Sequence, residues 1–311
     1  MQENRQKHQI TAMDKSADFE INKNFKSGFV SILGLPSSGK STLINSFLGE
    51  KLSITSSKPQ TTRNHIKAIL NGKDYQIVFI DTPGFLKPKN QLEKNMLIEI
   101  SKAESCDITC VIAEPNIEKL KMNIAFFEKL RTAEKTFLVI NKIDIYQKEN
   151  ILETQKILEP IIKPNDIFLI SALNGENTSQ LKQKIISNLP FANPYYSKDI
   201  LSDKWLRFFV AEFIRETIFS LYSDEIPYLC AIEIEEFKEE RKYISALVHV
   251  SKESHKPILI GRNGKAIKKL REISEKKIQK ITGENYLLHL EIKVTPNWQE
   301  DQRFLKKLYE Y

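Results

Sequence analysis

The sequence predicts an α/β chain: a three-layer domain with a mostly parallel sheet, followed by a smaller α+β domain. Three observations predict it. Glycine-rich or polar turns stand at the carboxyl ends of short apolar strands, at Gly34, Asp81 and Asn141. Helical periodicity separates the later strands. After Leu189-Pro190 the order of elements changes to helix, strand, strand, helix, helix, strand.

The first strand runs up to Leu33 within GFVSILGLPSSGKSTLIN, Gly28 to Asn45, and leads into G-x-x-x-x-G-K-S from Gly34 to Ser41 and then an amphipathic helix that ends at Gly49. This is a phosphate cradle. Gly34 and Gly39 permit backbone conformations that turn successive N–H groups onto phosphates. Lys40 reaches the β- and γ-phosphates, and the Ser41 hydroxyl is placed to ligate Mg²⁺ at the positive end of the helix. Leu35, Pro36, Ser37, Ser38 and Thr42 complete the predicted contact set.

The next elements are a hairpin, His65 to Leu70 and Tyr75 to Ile80, joined at Asn71-Gly72, which makes one sheet edge antiparallel. The second arm delivers Asp81-Thr82-Pro83-Gly84. Asp81 is placed to hold Mg²⁺ through water and the Gly84 amide to meet the γ-phosphate. Ahead of the hairpin, Lys58-Pro59-Gln60-Thr61-Thr62-Arg63 offers a hydroxyl that closes on Mg²⁺; Thr62 is favoured over Thr61.

Thr136 to Ile140 is an apolar run suited to a strand buried on both faces, and it delivers Asn141-Lys142-Ile143-Asp144. The Asp144 carboxylate can accept both the ring N–H and the exocyclic amine of guanine, a donor pair that adenine lacks on that edge, while the Lys142 stem packs along the base. A further strand, Asp166 to Ile170, ends in Ser171-Ala172-Leu173, where a backbone amide meets guanine O6. Helices are expected near 92–104, 117–131, 147–158 and 177–188. The ordered motifs define a P-loop GTPase domain over 28–190 that uses GTP, GDP and Mg²⁺, with Lys40, Thr62 and Gly84 as the catalytic candidates.

Residues 191–200 read as a linker, and 201–311 as a second domain. A helix is expected from Trp205 to Tyr222, strands at Tyr228 to Phe237 and Tyr243 to Val250, a helical region from Pro257, a strand at Leu287 to Val294 and a last helix from about Gln299. Within the helical region stands Gly261-Arg262-Asn263-Gly264, a G-x-x-G loop followed by Lys265 and Lys268 and flanked by Ile258 and Ile260. Two glycines with basic neighbours let a single-stranded nucleic-acid backbone approach, and the apolar flank receives bases. From Lys252 to Thr282 there are ten Lys or Arg against three Asp or Glu, whereas Asp224 to Glu240 holds seven acidic residues and one Lys. The positive charge therefore gathers at the glycine loop, and the acidic strands repel RNA from the other side; a solvated helix face stays open as the reading of Lys276, Lys277 and Lys280.

Composition agrees. The 311 residues carry 47 Lys or Arg against 40 Asp or Glu, a net charge of +7, compatible with nucleic acid or an anionic membrane surface. Cys106, Cys110 and Cys230 share no C-x-x-C spacing and lie in apolar stretches, as core thiols of a reducing compartment do. Residues 1–27 read as a flexible extension, charged instead of apolar, so no secretory leader is expected. With no apolar run near the roughly eighteen residues of a membrane span, a soluble cytoplasmic protein is expected.

The motifs, together with KPQTTR, Asp224-Glu225-Ile226-Pro227-Tyr228 and Val294-Thr295-Pro296-Asn297-Trp298, resemble those of the bacterial Era family of GTPases over about residues 27–311. The resemblance implies a C-terminal KH domain of type II topology, a monomer, and a role in maturation of the 30S subunit through the single-stranded 3′ end of 16S ribosomal RNA. It also implies slow hydrolysis, since Phe85 stands where Ras-like enzymes have the water-orienting glutamine. Related cradles commonly read G-x-P-N-V-G-K-S, with the asparagine implicated in binding an activating K⁺. This chain has Ser37 there, a weaker cation ligand, which argues against K⁺ activation. Two other readings are an RNA-binding module with a hydrolytically silent nucleotide site, drawn from Ser37 and Phe85, and a GTPase acting in signalling at the membrane periphery, drawn from basicity alone.

Overall fold

The computed structural model describes residues 24–49, 66–81, 91–92, 106–130, 132–223 and 225–309. Thr61, Thr62, Thr82, Pro83, Gly84, Phe85 and the expected helix beyond Leu92 lie outside the described residues, as does nearly all of the 1–27 extension. The chain forms two compact units. The first runs to Lys204, apart from Gln91 and Leu92, which cluster with the second, and the second starts at Trp205.

Among the described residues of the first unit six strands form one sheet in the order β2-β3-β1-β4-β5-β6. They are β1 (Lys26–Leu33), β2 (Ile66–Asn71), β3 (Tyr75–Asp81), β4 (Ile108–Ala113), β5 (Lys135–Asn141) and β6 (Asp166–Ile170). Among the described strands only β2 runs antiparallel, paired with β3 through the expected hairpin; the others are parallel. Val30, Ile32, Phe79, Val111, Leu138 and Ile140 are completely buried, which is why these strands read as continuous apolar runs and not as alternating ones. β4, Ile-Thr-Cys-Val-Ile-Ala, carries no motif in the sequence, yet it is a central strand paired with both β1 and β5.

Helices α1 (Lys40–Leu48), α4 (Lys148–Ile162) and α5 (Thr178–Asn188) stand close to where periodicity put them. The helix expected over 117–131 is instead two short ones, α2 (Ile117–Met122) and α3 (Ile124–Glu128). Asn123 divides them: its φ is −119° and its side-chain amide donates to the Lys119 carbonyl, an arrangement that ends a helix.

The stretch expected as a linker is fastened to the sheet. Ile69 N donates to Leu201 O, Asp203 N to Lys67 O, and the Asn71 side chain to Lys198 O and Ile200 O. The buried Gln76 side chain accepts from Tyr195 N and Tyr196 N and donates to Tyr196 O.

The second unit holds α6 (Leu206–Leu221), β7 (Cys230–Lys238), β8 (Tyr243–Val250), α7 (Lys256–Ile260), α8 (Lys265–Thr282), β9 (Leu287–Val294) and α9 (Gln302–Tyr309). β7 pairs antiparallel with β8, and β9 parallel with β8, so the α7–α8 segment is the crossover a parallel pair requires. β7 starts two residues later than expected, because Pro227 sits in a 3₁₀ turn over Ile226–Leu229 and cannot donate to a ladder. Along α8, Leu270, Ser274 and Ile278 form the buried stripe.

None of the three cysteines forms a disulfide among the described residues. Burial pushes the Cys110 thiol up to about 12, as expected of an inert core residue, and the thiol of Cys106, which is only partly buried, to about 11. No helix among the described residues is long and apolar enough to cross a membrane.

Candidate functional site

The carboxyl ends of β1, β3, β4 and β5 carry the polar loops of the first unit, where ligands of open parallel sheets bind. Gly34 follows β1 directly. A Cβ there would lie 2.3 Å from the Ile112 carbonyl oxygen on β4, so close strand packing requires glycine. Gly39 has φ +102°, and a Cβ would meet the Asn141 side-chain nitrogen at 2.1 Å. The second glycine is thus fixed by Asn141 at the end of β5 as well as by its own turn.

Asn141 ties three motifs together. Its Nδ2 donates to Ser38 O at 2.9 Å, and its Oδ1 accepts from Ala172 N at 2.9 Å. Expected from the sequence as a nucleotide contact, Asn141 braces the cradle and the Ser171-Ala172-Leu173 loop through these bonds, which engage the Ala172 amide. Leu173 is exposed, as is Asp144 at the mouth of the β5 loop.

Lys40 is 5% exposed, with its ammonium donating to Gly34 O at 3.0 Å and Leu35 O at 2.9 Å. Burial lowers its pKa to about 8, against the raising effect of Asp81. The Ser41 hydroxyl donates to Asp81 Oδ2 at 2.9 Å. These two oxygens, a hydroxyl and a carboxylate from β3, are the hard donors that Mg²⁺ prefers, and their adjacency fits the ion. Ser37 holds φ +63° and Lys142 φ +66°, left-handed conformations uncommon outside glycine. The Ser38 hydroxyl is buried without a hydrogen-bond partner.

Glu114, the residue after β4, was not singled out in the sequence. Its carboxylate pairs with Lys142 through one oxygen and with Lys119 through the other. Lys119 also donates to Pro36 O in the cradle at 2.8 Å. Burial alone would raise the Glu114 carboxyl, but the two lysines outweigh it and hold it below the ordinary range. The available signal was an acidic residue directly after an apolar run.

In the second unit α7 ends at Gly261, where φ is +71° and a Cβ would meet the Ala266 Cβ at 2.5 Å. Asn263 (φ +54°) and Gly264 (φ +72°) continue the turn, and a Cβ on Gly264 would meet nothing within 4 Å. Leu259 is buried, Ile258 is about half exposed and Ile260 lies partly buried beside the loop. Arg262, Lys265 and Lys269 are exposed and make no ion pair among the described residues, whereas Lys268 leans to Glu272 at 4.0 Å. Lys277 is not on a solvated face: it pairs with Glu216 of α6 at 2.8 Å. Nor is the acidic strand uniformly a surface, since Glu233 is buried against His249 at 2.8 Å and Lys307 at 2.5 Å.

A glycine cradle, a paired Ser41 and Asp81, an Asn-Lys-x-Asp loop at the end of β5 and a basic G-x-x-G unit define a P-loop GTPase with a KH domain. A family model described as 50S ribosome-binding GTPase matches residues 29–142, and a KH domain model matches residues 225–299. GTPase Era of Elusimicrobium minutum is 39% identical over 292 residues, covering 92% of this chain and 97% of that protein. GTPase Era of Geotalea daltonii is 40% identical over 290 residues, 92% and 98% of the two chains. The crystal structure of an Aquifex aeolicus Era variant bound to GDP and AlF₄⁻ matches with a TM-score of 0.83 at 31% identity, over 91% of this chain and 99% of that one. A structure of Era with MgGDPNP and nucleotides 1506–1542 of 16S ribosomal RNA gives 0.83 at 32% identity, over 91% and 98%. The chain belongs to the Era family of GTPases.

Proposed function

We propose that this GTPase is a slow switch that grips the single-stranded 3′ end of small-subunit ribosomal RNA through its KH domain while GTP is bound, and releases it after hydrolysis during 30S maturation. The observation that carries the reading is the G-x-x-G turn: Gly261 and Gly264 hold positive φ, and Arg262, Lys265 and Lys269 stand exposed around them. The relative bound to 16S nucleotides supports the same RNA class. On this reading Ile258 and Ile260 receive bases, while Arg262, Asn263, Lys265 and Lys268 meet the backbone.

In the first unit the cradle residues Gly34 to Thr42 hold the phosphates, with Lys40 at the β- and γ-positions. Asp144 reads guanine and Lys142 packs beneath it. Ser41 and Thr62 ligate Mg²⁺, and Asp81 holds it through water; the ion would neutralise charge developing on the transferred phosphoryl group. Gly84 orients the γ-phosphate, and Phe85 leaves the attacking water without a side-chain hydrogen bond, which keeps turnover slow.

The test compares affinity for a ribosomal 3′-end oligomer with a non-hydrolysable GTP analogue and with GDP; equal values would overturn the switch. Gly264→Asp is the informative variant, because the site has room for a side chain and Asp tolerates its φ better than most residues, so a loss of RNA binding reports charge at the backbone contact and not a clash.

A further inference from the structure

We infer that Glu114 and Lys119 are positioning residues for the guanine nucleotide: they form an ionic brace that sets Lys142 against the base and ties the β5 loop to the phosphate cradle. The inference rests on the reading of Lys142 and the cradle as the nucleotide site, and adds to it two side chains outside every nucleotide motif.

Topology puts Glu114 where such a brace is needed. β4 lies between β1, which delivers the cradle, and β5, which delivers Asn141 and Lys142. The pairings Leu33↔Val111 and Ala113↔Ile140 bring the three strand ends side by side. The residue after Ala113 therefore emerges between the two loops. Glu114 occupies it with a side chain only 10% exposed and uses both carboxylate oxygens, one on each lysine.

Lys119 supplies the second half. It lies in the first turn of α2, its backbone N–H capped by the Asn116 side chain at 3.0 Å, and its ammonium is shared between Glu114 and Pro36 O. The path Pro36, Lys119, Glu114, Lys142 thus links two loops that hold opposite ends of a nucleotide. Lys142 needs the support, because it sits at φ +66° at the edge of a loop with a long flexible side chain. Charge-assisted bonds to a mostly buried carboxylate restrict that chain before a base arrives.

Positioning and simple charge effects make opposite predictions. Glu114→Gln removes a negative charge beside a site for phosphates. If Glu114 acted only through its field, nucleotides would bind the variant more tightly and with a steeper salt dependence. If it positions Lys142, affinity falls.

The experiment measures affinity for GDP and for a non-hydrolysable GTP analogue at two salt concentrations, with single-turnover hydrolysis, on the full-length chain. Glu114→Gln is expected to weaken both nucleotides about tenfold with the rate at saturating GTP within about twofold of the parent. Lys119→Met is expected to weaken them about threefold, Lys119→Arg to restore most of that, and the double variant to lose less than the product of the two. Thermal unfolding without nucleotide controls for folding. Unchanged or tighter nucleotide binding in Glu114→Gln, or a loss explained by unfolding of the chain, would overturn the inference. Asp144→Ala separates the failures: if it leaves guanine binding intact the site reading itself fails, whereas if it abolishes binding and Glu114→Gln does nothing, only the brace fails.

Discussion

The hydroxyl of Tyr222 donates a hydrogen bond to the carbonyl oxygen of Leu259 at 2.9 Å, joining the end of α6 to the end of the helix that precedes the glycine loop. The last carbonyls of a helix lack intrahelical partners, and α7 is only five residues long. Burial raises the Tyr222 phenol to about 12, so it stays a donor at any working pH. Tyr222→Phe leaves the Leu259 carbonyl without this bond, at a cost of ~1 kcal/mol. RNA affinity is expected to fall roughly fivefold in a filter-binding or fluorescence titration. GTP hydrolysis by the same variant, measured without RNA, is expected to be unchanged.

On the proposed reading of the cradle, nucleotide binding is expected to depend on pH through Lys40. Its pKa of about 8 in the fold lies below its ordinary 10.5, so between those values the folded chain has lost a proton that the unfolded chain retains. Stability contributed by this group therefore rises with pH across that window, and the cost of burying the ammonium is felt in full below it. A phosphate placed against Lys40 pulls its pKa back up. Nucleotide binding should take up a proton above about pH 8, seen as a buffer-dependent heat in calorimetry at pH 8.5. Lys40→Met should abolish that dependence.

Two adjacent serines in the cradle carry opposite costs. The Ser38 hydroxyl is buried without a partner, so Ser38→Ala is expected to raise unfolding free energy by ~1 kcal/mol in a denaturant titration. Ser37 holds φ +63°, which asparagine tolerates better. Ser37→Asn would ease the backbone and add an amide oxygen, and phosphate release by this variant is expected to gain a dependence on K⁺ over Na⁺ that the parent lacks.

Acid should loosen the second unit before neutral pH does. His249 donates or accepts between Glu233 (2.8 Å) and Thr295 (2.7 Å), faces Phe304 of α9, and feels Lys293 and Lys307. Burial lowers its pKa, more strongly than Glu233 raises it. The unfolded chain then binds the proton more readily, so stability is lost as pH falls through the ordinary histidine value of 6.5 and below. Glu233, held below its ordinary value although burial opposes this, adds to the loss at lower pH. The unfolding midpoint of the parent is expected to drop between pH 7 and 5, and His249→Gln to show a shallower drop.

Motifs that work through their own backbone were legible in the sequence. Gly34 to Ser41 and Gly261 to Gly264 declare their turns by residue type, and the apolar runs before Asp81 and Asn141 declare strands. Features made by distant partners were not. β4 carries no motif of its own, so its place beside β1 and β5 emerges only from pairing, and with it the meeting of Glu114, Lys119 and Lys142. Asn123 breaks a helix through a side-chain bond that periodicity does not register. Lys277 and Glu233 read as surface charge because each partner, Glu216 or His249, lies at least sixteen residues away.

The fastening of residues 198–203 to β2 bears on how the chain behaves in a crowded solution. Among the described strands β2 is the last on its side of the sheet, and an uncovered edge strand offers its free N–H and C=O groups as a template for another chain. Here Lys67, Ile69 and Asn71 are already engaged by Leu201, Asp203, Lys198 and Ile200. The segment that leads out of the sheet also seals that edge, protecting the GTPase from strand-to-strand aggregation.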